Sequence, residues 1–317
     1  MAYKPYPVIA GPTASGKTAL AISVAKTLCG EVVSADSMQI YADVAVGTAR
    51  PTADEMQGIP HHLLGFLPLQ KKYSVARYIE DANRVFEDIY RRNKIPVLCG
   101  GTGLYIQSFI ENRKLFEEES DPAIRQQYKQ MMKEQGIEAL LERLRCVDPI
   151  TAARLHPHDT NRIIRALEVY DTTGRTITEQ NALSHAEPSP YPSCLFILDF
   201  HDRQALYDRI NRRVDVMLEN GLLEEAQRVL STDPNATVTQ AIGYKEFAPY
   251  FDGTTSLNEA ADRLRQQTRR YAKRQLSWFR RMENAHTLWV DDYNTSDALV
   301  QALLDAYQNV TKGGQNQ

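Results

Sequence analysis

Short runs of consecutive apolar residues recur along the chain, separated by longer stretches in which apolar positions return every three or four residues. The first run, residues 6–10, ends in GPTASGKT, and residues 18–28 then have a helical pattern. Runs of similar length, typical of buried strands, occupy residues 31–35, 95–99, 194–200 and 286–290. In residues 74–93 the apolar side chains share one helical face, which predicts a long amphipathic helix.

Strands that alternate with helices predict an α/β fold, a parallel sheet with helices on both faces. Charged helical segments at 121–135 and 137–145 break this pattern. We therefore predict a core of residues 1–112 and 193–317, interrupted by a helical insertion domain of residues 113–192. The remaining predictions are a turn-rich stretch to about residue 72, helices at 203–219, 222–230 and 257–282, a last helix ending near residue 309, and a disordered tail, 312–317.

Composition narrows the possible functions without choosing among them. With 317 residues, 43% of them apolar, the chain is long enough for one large or two modest domains. The net charge is -3, so a nucleic-acid surface must come from local clusters of Lys and Arg. The chain has no apolar run of roughly 20 residues and no room for a signal peptide before the first motif, so we expect a cytoplasmic protein without a membrane segment. We expect reduced, mostly buried thiols at the scattered cysteines Cys29, Cys99, Cys146 and Cys194.

The sequence GPTASGKT matches the G-x-x-x-x-G-K-[ST] pattern of a phosphate-binding loop and lies between a predicted strand and a predicted helix. Backbone N–H groups of such a loop surround phosphate oxygens, Lys17 supplies positive charge, and the Thr18 hydroxyl suits Mg²⁺. This makes the predicted sheet P-loop NTPase-like, although a glycine-rich turn that only caps the helix is an alternative. The loop suits a prenyl diphosphate as well as ATP. The predicted diphosphate-binding residues are Gly11, Pro12, Thr13, Ala14, Ser15, Gly16, Lys17 and Thr18.

Asp36 and Thr102 each follow a predicted strand, whose carboxyl end opens onto the same crevice as the loop. The Asp36 carboxylate could accept a proton from an acceptor group or bind Mg²⁺ through water, and a turn role is equally open. His61 and His62 are adjacent and so fall on opposite sides of an extended backbone, which favours packing over shared metal ligation. Asp199 ends an apolar run and weakly resembles a Walker B aspartate.

Residues 263–281 contain eight positive side chains, no acidic one and three aromatic ones, Tyr271, Trp278 and Phe279. In a net acidic chain this cluster predicts contact with a phosphodiester backbone, and the aromatic rings could stack on bases. The alternative is a solvated face paired with acidic neighbours. A smaller basic group that could also contact RNA lies in the predicted insertion and comprises Arg154, His156, His158, Arg162 and Arg165.

Together these motifs resemble the tRNA dimethylallyltransferase family, also called tRNA isopentenyltransferases. The resemblance extends in order over nearly 270 residues. It comprises GPTASGKT at 11–18, DSMQIY at 36–41, GTARP at 47–51, PHH at 60–62, GGTGLY at 100–105, DP at 148–149, RLHPHDTNRIIRALEV at 154–169, QAIGYKE at 240–246 and YAKRQLSWFRR at 271–281. Membership implies a P-loop core that holds Mg²⁺ and dimethylallyl diphosphate. It also implies an insertion domain that helps to grip the tRNA anticodon stem-loop, and a target adenosine 3′ of the anticodon that is flipped into a channel.

The resemblance assigns roles to matching positions. Asp36 matches the general base that contacts adenine N6, and Thr102 matches a threonine near the reacting centre. On chemical grounds we expect Lys17 to stabilise the negative charge of the leaving diphosphate. The family's zinc finger and targeting segment, frequent in eukaryotic members, have no counterpart, which implies a compact bacterial form, expected to be monomeric. The residues expected to contact tRNA are Asp36, Ser37, Met38, Gln39, Thr102, Arg125, Arg162, Arg165, Gln240, Gly243, Tyr244, Lys273, Arg274, Gln275 and Trp278.

Three other functions share parts of this pattern. An adenylate isopentenyltransferase would use the same loop, Asp36 and donor with a free nucleotide, but would need neither the insertion nor the basic segment. A small-molecule P-loop kinase would bind ATP at the loop and turn it over without RNA. A nucleotide-gated RNA-binding protein would bind tRNA and leave its mass unchanged.

Overall fold

The computed structural model describes residues 3–115, 121–184, 187–233 and 236–313. The chain forms two compact units, Met1–Ile110 with Ser189–Gln317, and Glu111–Pro188. The strands are β1 (Tyr6–Ala10), β2 (Glu31–Ser34), β3 (His61–His62), β4 (Pro96–Gly100), β5 (Ser193–Asp199) and β6 (Ala285–Trp289). The helices are α1 (Lys17–Thr27), α2 (Ala53–Met56), α3 (Val75–Arg91), α4 (Gly103–Ile110), α5 (Pro122–Gln135), α6 (Ile137–Val147), α7 (Pro149–Arg154), α8 (Thr160–Thr173), α9 (Ile177–Ser184), α10 (Arg203–Glu219), α11 (Leu222–Leu230), α12 (Ala248–Phe251), α13 (Leu257–Phe279) and α14 (Ser296–Gly313).

The first unit is built on a six-stranded sheet in the order β3-β2-β4-β1-β5-β6, with every pair of neighbours parallel. Successive residues of β1 face opposite sides. Ile9 packs into a cluster with α1 and α14, and Val8 packs into a cluster with α3 and α4. Both sides are buried, which explains why the strands are continuous apolar runs. The predicted α/β fold with helices on both faces is confirmed.

The second unit is helical and contains α5 to α9. Its core is formed by apolar side chains of α6 and α8, including Leu140, Leu144, Ile163 and Leu167. The buried Asp148 carboxylate accepts hydrogen bonds from Thr151 N and from the Thr178 amide and hydroxyl at 2.7 to 3.1 Å. One acidic side chain therefore satisfies backbone donors at the starts of both α7 and α9.

The stretch to about residue 72 is turn-rich as predicted, and it also contains the four-residue helix α2 and the two-residue edge strand β3. Other local predictions were wrong. Helix α14 continues to Gly313, so Lys312 is helical rather than disordered, because Leu303 and Tyr307 hold the helix against the sheet and no proline stops it. Residues 314–317 lie outside the described residues. Cys99 and Cys194 are buried, whereas Cys29 and Cys146, each at a helix end, are exposed.

No helix among the described residues combines the length and the apolar character that crossing a membrane requires. Even the 23-residue helix α13 carries a charged face along most of its length.

One end of the sheet is held by a buried carboxylate. Glu31, at the start of β2, has a side chain that is 2% exposed, and it contacts Arg92 at 2.5 Å and Lys94 and His62 at 2.7 Å. These partners come from the connection between α3 and β4 and from β3. The sequence interpretation of the histidine pair as packing residues agrees with this position for His62, and the His61 ring contacts Ile59 O at 2.8 Å.

Glu31→Gln is expected to lower the free energy of unfolding by about 2 to 3 kcal/mol near neutral pH, because it leaves two cations facing a neutral amide. Hydrogen bonds from Arg92 hold the pKa of Glu31 well below its ordinary value, against the opposing effect of burial. This stabilisation is fully present above the unfolded-state pKa of about 4.3 and is lost as the pH falls below it. Urea unfolding of both proteins should show a difference that shrinks in acid. A difference independent of pH would contradict the ionic origin.

Candidate functional site

The phosphate-binding loop leaves β1 and enters α1 at Lys17. Ala14 and Gly16 have positive φ values of 63° and 91°, so the chain turns sharply before the helix begins. The Lys17 ammonium donates to Pro12 O at 3.2 Å and so lies over the loop. Burial lowers the pKa of Lys17, and nearby Arg213 acts in the same direction while Asp36 opposes it. The loop therefore presents helix N–H groups and a positive charge to one point.

Two side chains distant in sequence brace this loop. The buried Gln275 of α13 accepts from Thr13 N at 2.9 Å and donates to Gly101 O at 2.8 Å. Arg209 of α10 donates to Ala14 O at 2.9 Å. Gln275 was predicted to contact tRNA, but its amide is occupied on both sides by the protein. It joins the phosphate loop to the glycine-rich turn that follows β4.

Asp36 follows β2 at the carboxyl edge of the sheet. Its Oδ1 accepts from Met38 N at 2.9 Å and from Gln39 N at 3.2 Å, which shapes the DSMQ turn. Among the described residues, the structure gives no hydrogen bond to its Oδ2. Thr102 lies beside it, because Thr102 Oγ1 accepts from Ser37 N at 2.9 Å. The structure thus joins the two predicted catalytic side chains through Ser37.

A cavity of about 470 Å³ lies between the loop and this turn. It brings together many residues predicted from sequence, which are Thr13, Lys17, Thr18, Asp36, Ser37, Met38, Gln39, Gln240, Gly243, Arg274 and Gln275. A wider cavity of about 1030 Å³ also borders Lys17 and Thr18 and is lined by four arginines, Arg50, Arg209, Arg212 and Arg213. Positive charge thus surrounds the amino end of α1, as a diphosphate would require.

Several predicted contacts lie outside the first cavity. Tyr244 is fully buried and its hydroxyl donates to Glu225 at 2.9 Å, so its side chain has no surface to offer a ligand. Trp278 packs beside Gly103, where a Cβ would lie 2.5 Å from the ring. Lys273 is exposed. In the helical unit, Arg162 is exposed and Arg165 forms an ion pair with Glu168 at 3.5 Å. Arg125 is half-buried.

Sequence reasoning missed Arg213, which lines both cavities. Its guanidinium donates to Thr48 O at 3.2 Å. Burial lowers its pKa, whereas the charge of Asp36 opposes that shift. The available signal was the pair Arg209 and Arg213, four residues apart on one face of a predicted helix. Tyr271, predicted only as a possible stacking ring, lines the first cavity. The Cζ atom of Arg274 lies over its ring, 5.7 Å from the ring centroid.

The positive side chains of residues 263–281 differ in their contacts, and two of them are paired with acidic residues. Arg265 forms ion pairs with Asp215 and Asp262, and Arg280 pairs with Asp199 at 2.7 Å. For these two arginines the alternative interpretation is correct, in which the positive charges pair with acidic neighbours rather than contact RNA. Asp199 is 1% exposed, pairs with Arg280 and lines neither cavity, so the structure does not place it as a Walker B aspartate.

Four of the six other cations of this segment have different surroundings. Arg270, Lys273 and Arg274 are exposed, and within the described part of the chain the structure gives none of them an ion pair. Arg269 is partly buried, donates to Asn211 at 2.7 Å and lies over the ring of Tyr207. The exposed positive surface of α13 is therefore narrower than the sequence suggests.

Comparisons with known proteins place the chain in a family. A family model described as IPP transferase matches residues 39–282. A tRNA dimethylallyltransferase of Thermoanaerobacter sp. (strain X514) is 44% identical over 300 residues, covering 94% of this chain and 95% of that protein. One from Geobacillus kaustophilus (strain HTA426) is 48% identical over 274 residues, covering 86% of each chain.

Two solved structures are also similar. The full-length tRNA isopentenylpyrophosphate transferase from Bacillus halodurans matches with a TM-score of 0.73 at 37% identity, covering 99% of this chain and 100% of that chain. A eukaryotic dimethylallyltransferase acting on tRNA matches with a TM-score of 0.80 at 29% identity, covering 96% of this chain and 80% of that chain.

Proposed function

Because the chain belongs to the IPP transferase family, we infer that it is an enzyme that transfers a dimethylallyl group from dimethylallyl diphosphate to adenosine in tRNA. The acceptor is the N6 amine of an adenosine on the 3′ side of the anticodon, and diphosphate is released. One observation carries this proposal. The first cavity joins the phosphate loop to the Asp36 carboxylate, so a diphosphate site and a proton acceptor share one crevice.

Asp36 has the position of a general base. The N6 lone pair of adenine is delocalised into the ring, so N6 becomes a good nucleophile only as its proton leaves. The hydrogen bonds to Oδ1 orient the carboxylate, while Oδ2 is available to take that proton. Thr102 holds the same turn through Ser37 N and thereby positions Asp36. Extruding the target base costs least in a loop, where stacking is already reduced.

Lys17, Arg213 and the loop N–H groups stabilise the departing diphosphate. Negative charge grows on this group as the allylic carbon–oxygen bond breaks, and fixed donors in a partly buried site stabilise it strongly. Both cations line the cavity that contains Asp36. Both residues are partly buried, and burial lowers the pKa of each.

The chemistry of the loop suits Mg²⁺. Thr18 follows the loop lysine and lines both cavities, which gives a hydroxyl oxygen beside the proposed diphosphate site. Magnesium prefers oxygen ligands and commonly binds through one protein group together with substrate phosphates. We propose that Thr18 holds the ion, which would neutralise charge on the diphosphate when bound.

The acceptor is proposed to be a polynucleotide, and the enzyme to act in the cytoplasm as a monomer. The exposed cations of α13 support an RNA backbone contact, and so does the exposed group Arg154, His156, His158 and Arg162 of the helical unit. We retain Gln240, Gly243 and Arg274, which line the first cavity, and Lys273 and Trp278 of α13 as proposed tRNA contacts. Tyr244 and Gln275 support the loops rather than touch RNA directly.

Purified protein incubated with dimethylallyl diphosphate should add one dimethylallyl unit to an adenosine of unmodified tRNA and none to AMP. Nucleoside mass analysis after digestion measures both acceptors. A small nucleotide would need neither the helical unit nor the exposed cations, so comparable turnover on AMP would favour an adenylate isopentenyltransferase. ATP hydrolysis without RNA would favour a kinase, and binding of tRNA without a mass change would favour a noncatalytic role.

Replacing Arg270, Lys273 and Arg274 together by Gln should weaken tRNA binding at low salt. These cations are exposed, and the structure gives them no acidic partner among the residues it describes, so each can displace a counterion from RNA. The slope of log K against log salt should fall by about 2 to 3. Binding of pyrophosphate should change less than binding of tRNA, because among these three cations only Arg274 lines the first cavity.

The control replaces Lys26 of α1 and Arg84 and Arg91 of α3 by Gln. It removes the same total of three positive charges as the α13 variant. It should leave the salt slope unchanged. An equal loss of slope in both proteins would show that only the total charge matters, and no loss in the first would place the RNA surface elsewhere.

A further inference from the structure

The loop between Val44 and Arg50, which contains the first four residues of the GTARP sequence at 47–51, is held by one buried carboxylate from α11. Glu225 is 3% exposed. Its Oε2 accepts from Ala45 N at 2.8 Å and Val46 N at 3.0 Å, and its Oε1 accepts from Gly47 N at 2.6 Å. Three successive N–H groups thus converge on one carboxylate, an arrangement of backbone donors that is typical of anion-binding concavities.

A fourth donor joins this carboxylate to another part of the site. The Tyr244 hydroxyl donates to Glu225 Oε1 at 2.9 Å. Burial and then the neighbouring Glu225 charge raise the pKa of Tyr244, so this hydroxyl stays a donor. Tyr244 also packs against the loop itself, because a Cβ built on Gly47 would lie 2.7 Å from its ring. Glu225 and Tyr244 therefore hold the loop from two directions.

The next residue of the loop faces the proposed diphosphate site. Thr48 O accepts from the Arg213 guanidinium at 3.2 Å and from Gln39 Nε2 at 3.1 Å. The Thr48 hydroxyl donates back to Val44 O at 2.6 Å, which keeps the turn closed. Glu225 contacts the three residues before Thr48 and so sets the position of the Thr48 carbonyl. This carbonyl in turn positions the side chains of Arg213 and Gln39 in the cavity.

We propose that Glu225 is a positioning residue for diphosphate binding, acting through the Val44–Arg50 loop to hold the Arg213 guanidinium. This rests on the proposed function, in which Arg213 binds the departing diphosphate. Glu225 touches neither substrate. The carboxylate does more than fill space. In Glu225→Gln one of its oxygens becomes an NH₂ group, whose N–H would face the backbone N–H donors of the loop. A buried donor left without an acceptor displaces the loop or loses its hydrogen bond.

Glu225→Gln should raise the dissociation constant for inorganic pyrophosphate by about 10-fold. It should also lower kcat/KM for dimethylallyl diphosphate by about 10- to 100-fold, because small displacements of a positioned group have large kinetic effects. The KM for tRNA should change less than the KM for dimethylallyl diphosphate. Gly47→Ala, which pushes the loop away from Tyr244 while Glu225 stays intact, should give the same pattern.

The matched control is Glu224→Gln, which removes an exposed carboxylate from the same first turn of α11 and should leave pyrophosphate binding unchanged. A double-mutant cycle tests the route. Once Arg213→Ala has removed the guanidinium, adding Glu225→Gln should cost little further affinity. Full additivity of the two losses would overturn the proposal, as would normal pyrophosphate binding by a folded Glu225→Gln protein.

Two further measurements distinguish a folding defect from the loss of the positioning role, and failure of this proposal from failure of the proposed function. If Glu225→Gln does not fold, as judged by circular dichroism, Tyr244→Phe removes one bond to the carboxylate and should still weaken pyrophosphate binding by a few-fold. Unchanged binding in both Tyr244→Phe and Gly47→Ala would then refute the positioning role. Failure of the wild-type protein to modify tRNA would overturn the proposed function instead, since pyrophosphate affinity is measured without an acceptor.

Discussion

Asp36→Asn should lower the single-turnover rate of dimethylallyl transfer to tRNA by about 10²- to 10⁴-fold, the usual contribution of a positioned general base. Asparagine has the same size, and its carbonyl oxygen can still accept from Met38 N and Gln39 N, so the turn should persist. It cannot take up the proton released from N6. Dissociation constants for tRNA and for pyrophosphate should stay close to those of the wild type.

The alternatives for Asp36 give different results in the same experiment. If the carboxylate bound Mg²⁺ through water, the variant would lose diphosphate affinity and added Mg²⁺ would partly restore the rate. If it only shaped the turn, the rate would hardly change. Asp43→Asn is the matched control, because Asp43 is an exposed carboxylate seven residues further along the same connection. Its rate should equal that of the wild type.

Lys17→Met should lower the same rate by about 10²- to 10³-fold, the loss seen when one fixed donor to a developing anion is removed. Methionine keeps most of the buried stem, so the loop should keep its shape although the contact with Pro12 O is lost. Unlike Asp36→Asn, this variant should also bind pyrophosphate more weakly, because Lys17 contributes charge to the bound state. The two variants therefore separate proton removal from leaving-group stabilisation.

Lys26→Met is the control for Lys17. It removes an exposed lysine from the last turn of the same helix and should leave pyrophosphate affinity and rate unchanged. Equal effects of the two substitutions would indicate a general effect of charge on α1. A Lys17→Met protein with the wild-type rate would remove the ammonium from the mechanism.

The phosphate loop could be predicted because its determinants are local. The strand Tyr6–Ala10, the glycine at position 16 with a positive φ, and the helix that begins at Lys17 are contiguous, and each follows from its own residues. Asp36 and Thr102 required one step more. Both follow parallel strands, and strand ends in a parallel sheet meet at one edge, so their proximity follows from topology. Their link through Ser37 agrees with that expectation.

The roles of the α13 cations could not be predicted in the same way. Residues 263–281 contain eight positive charges, and nothing in the sequence distinguishes those that pair with acidic residues from those that do not. Only folding places Asp215 of α10 beside Arg265, and Asp199 of β5 beside Arg280. These two contacts join residues 50 and 81 positions apart, about which the composition of one helix carries no information. Gln275 is a similar case, an ordinary polar residue in sequence and a buried brace in the structure.

The sequence by itself therefore determined the alternation of strands and helices in the core, the phosphate loop and the edge of the sheet that carries Asp36 and Thr102. These depend on periodicity and on backbone conformation, which neighbouring residues decide. Only the tertiary structure decided that Arg213 lines the cavity and that Glu225 holds the loop beside it. Buried polar groups need hydrogen-bond partners, and the backbone partners of Glu225 lie about 180 residues earlier in the chain. Such pairings arise from packing, which no local pattern specifies.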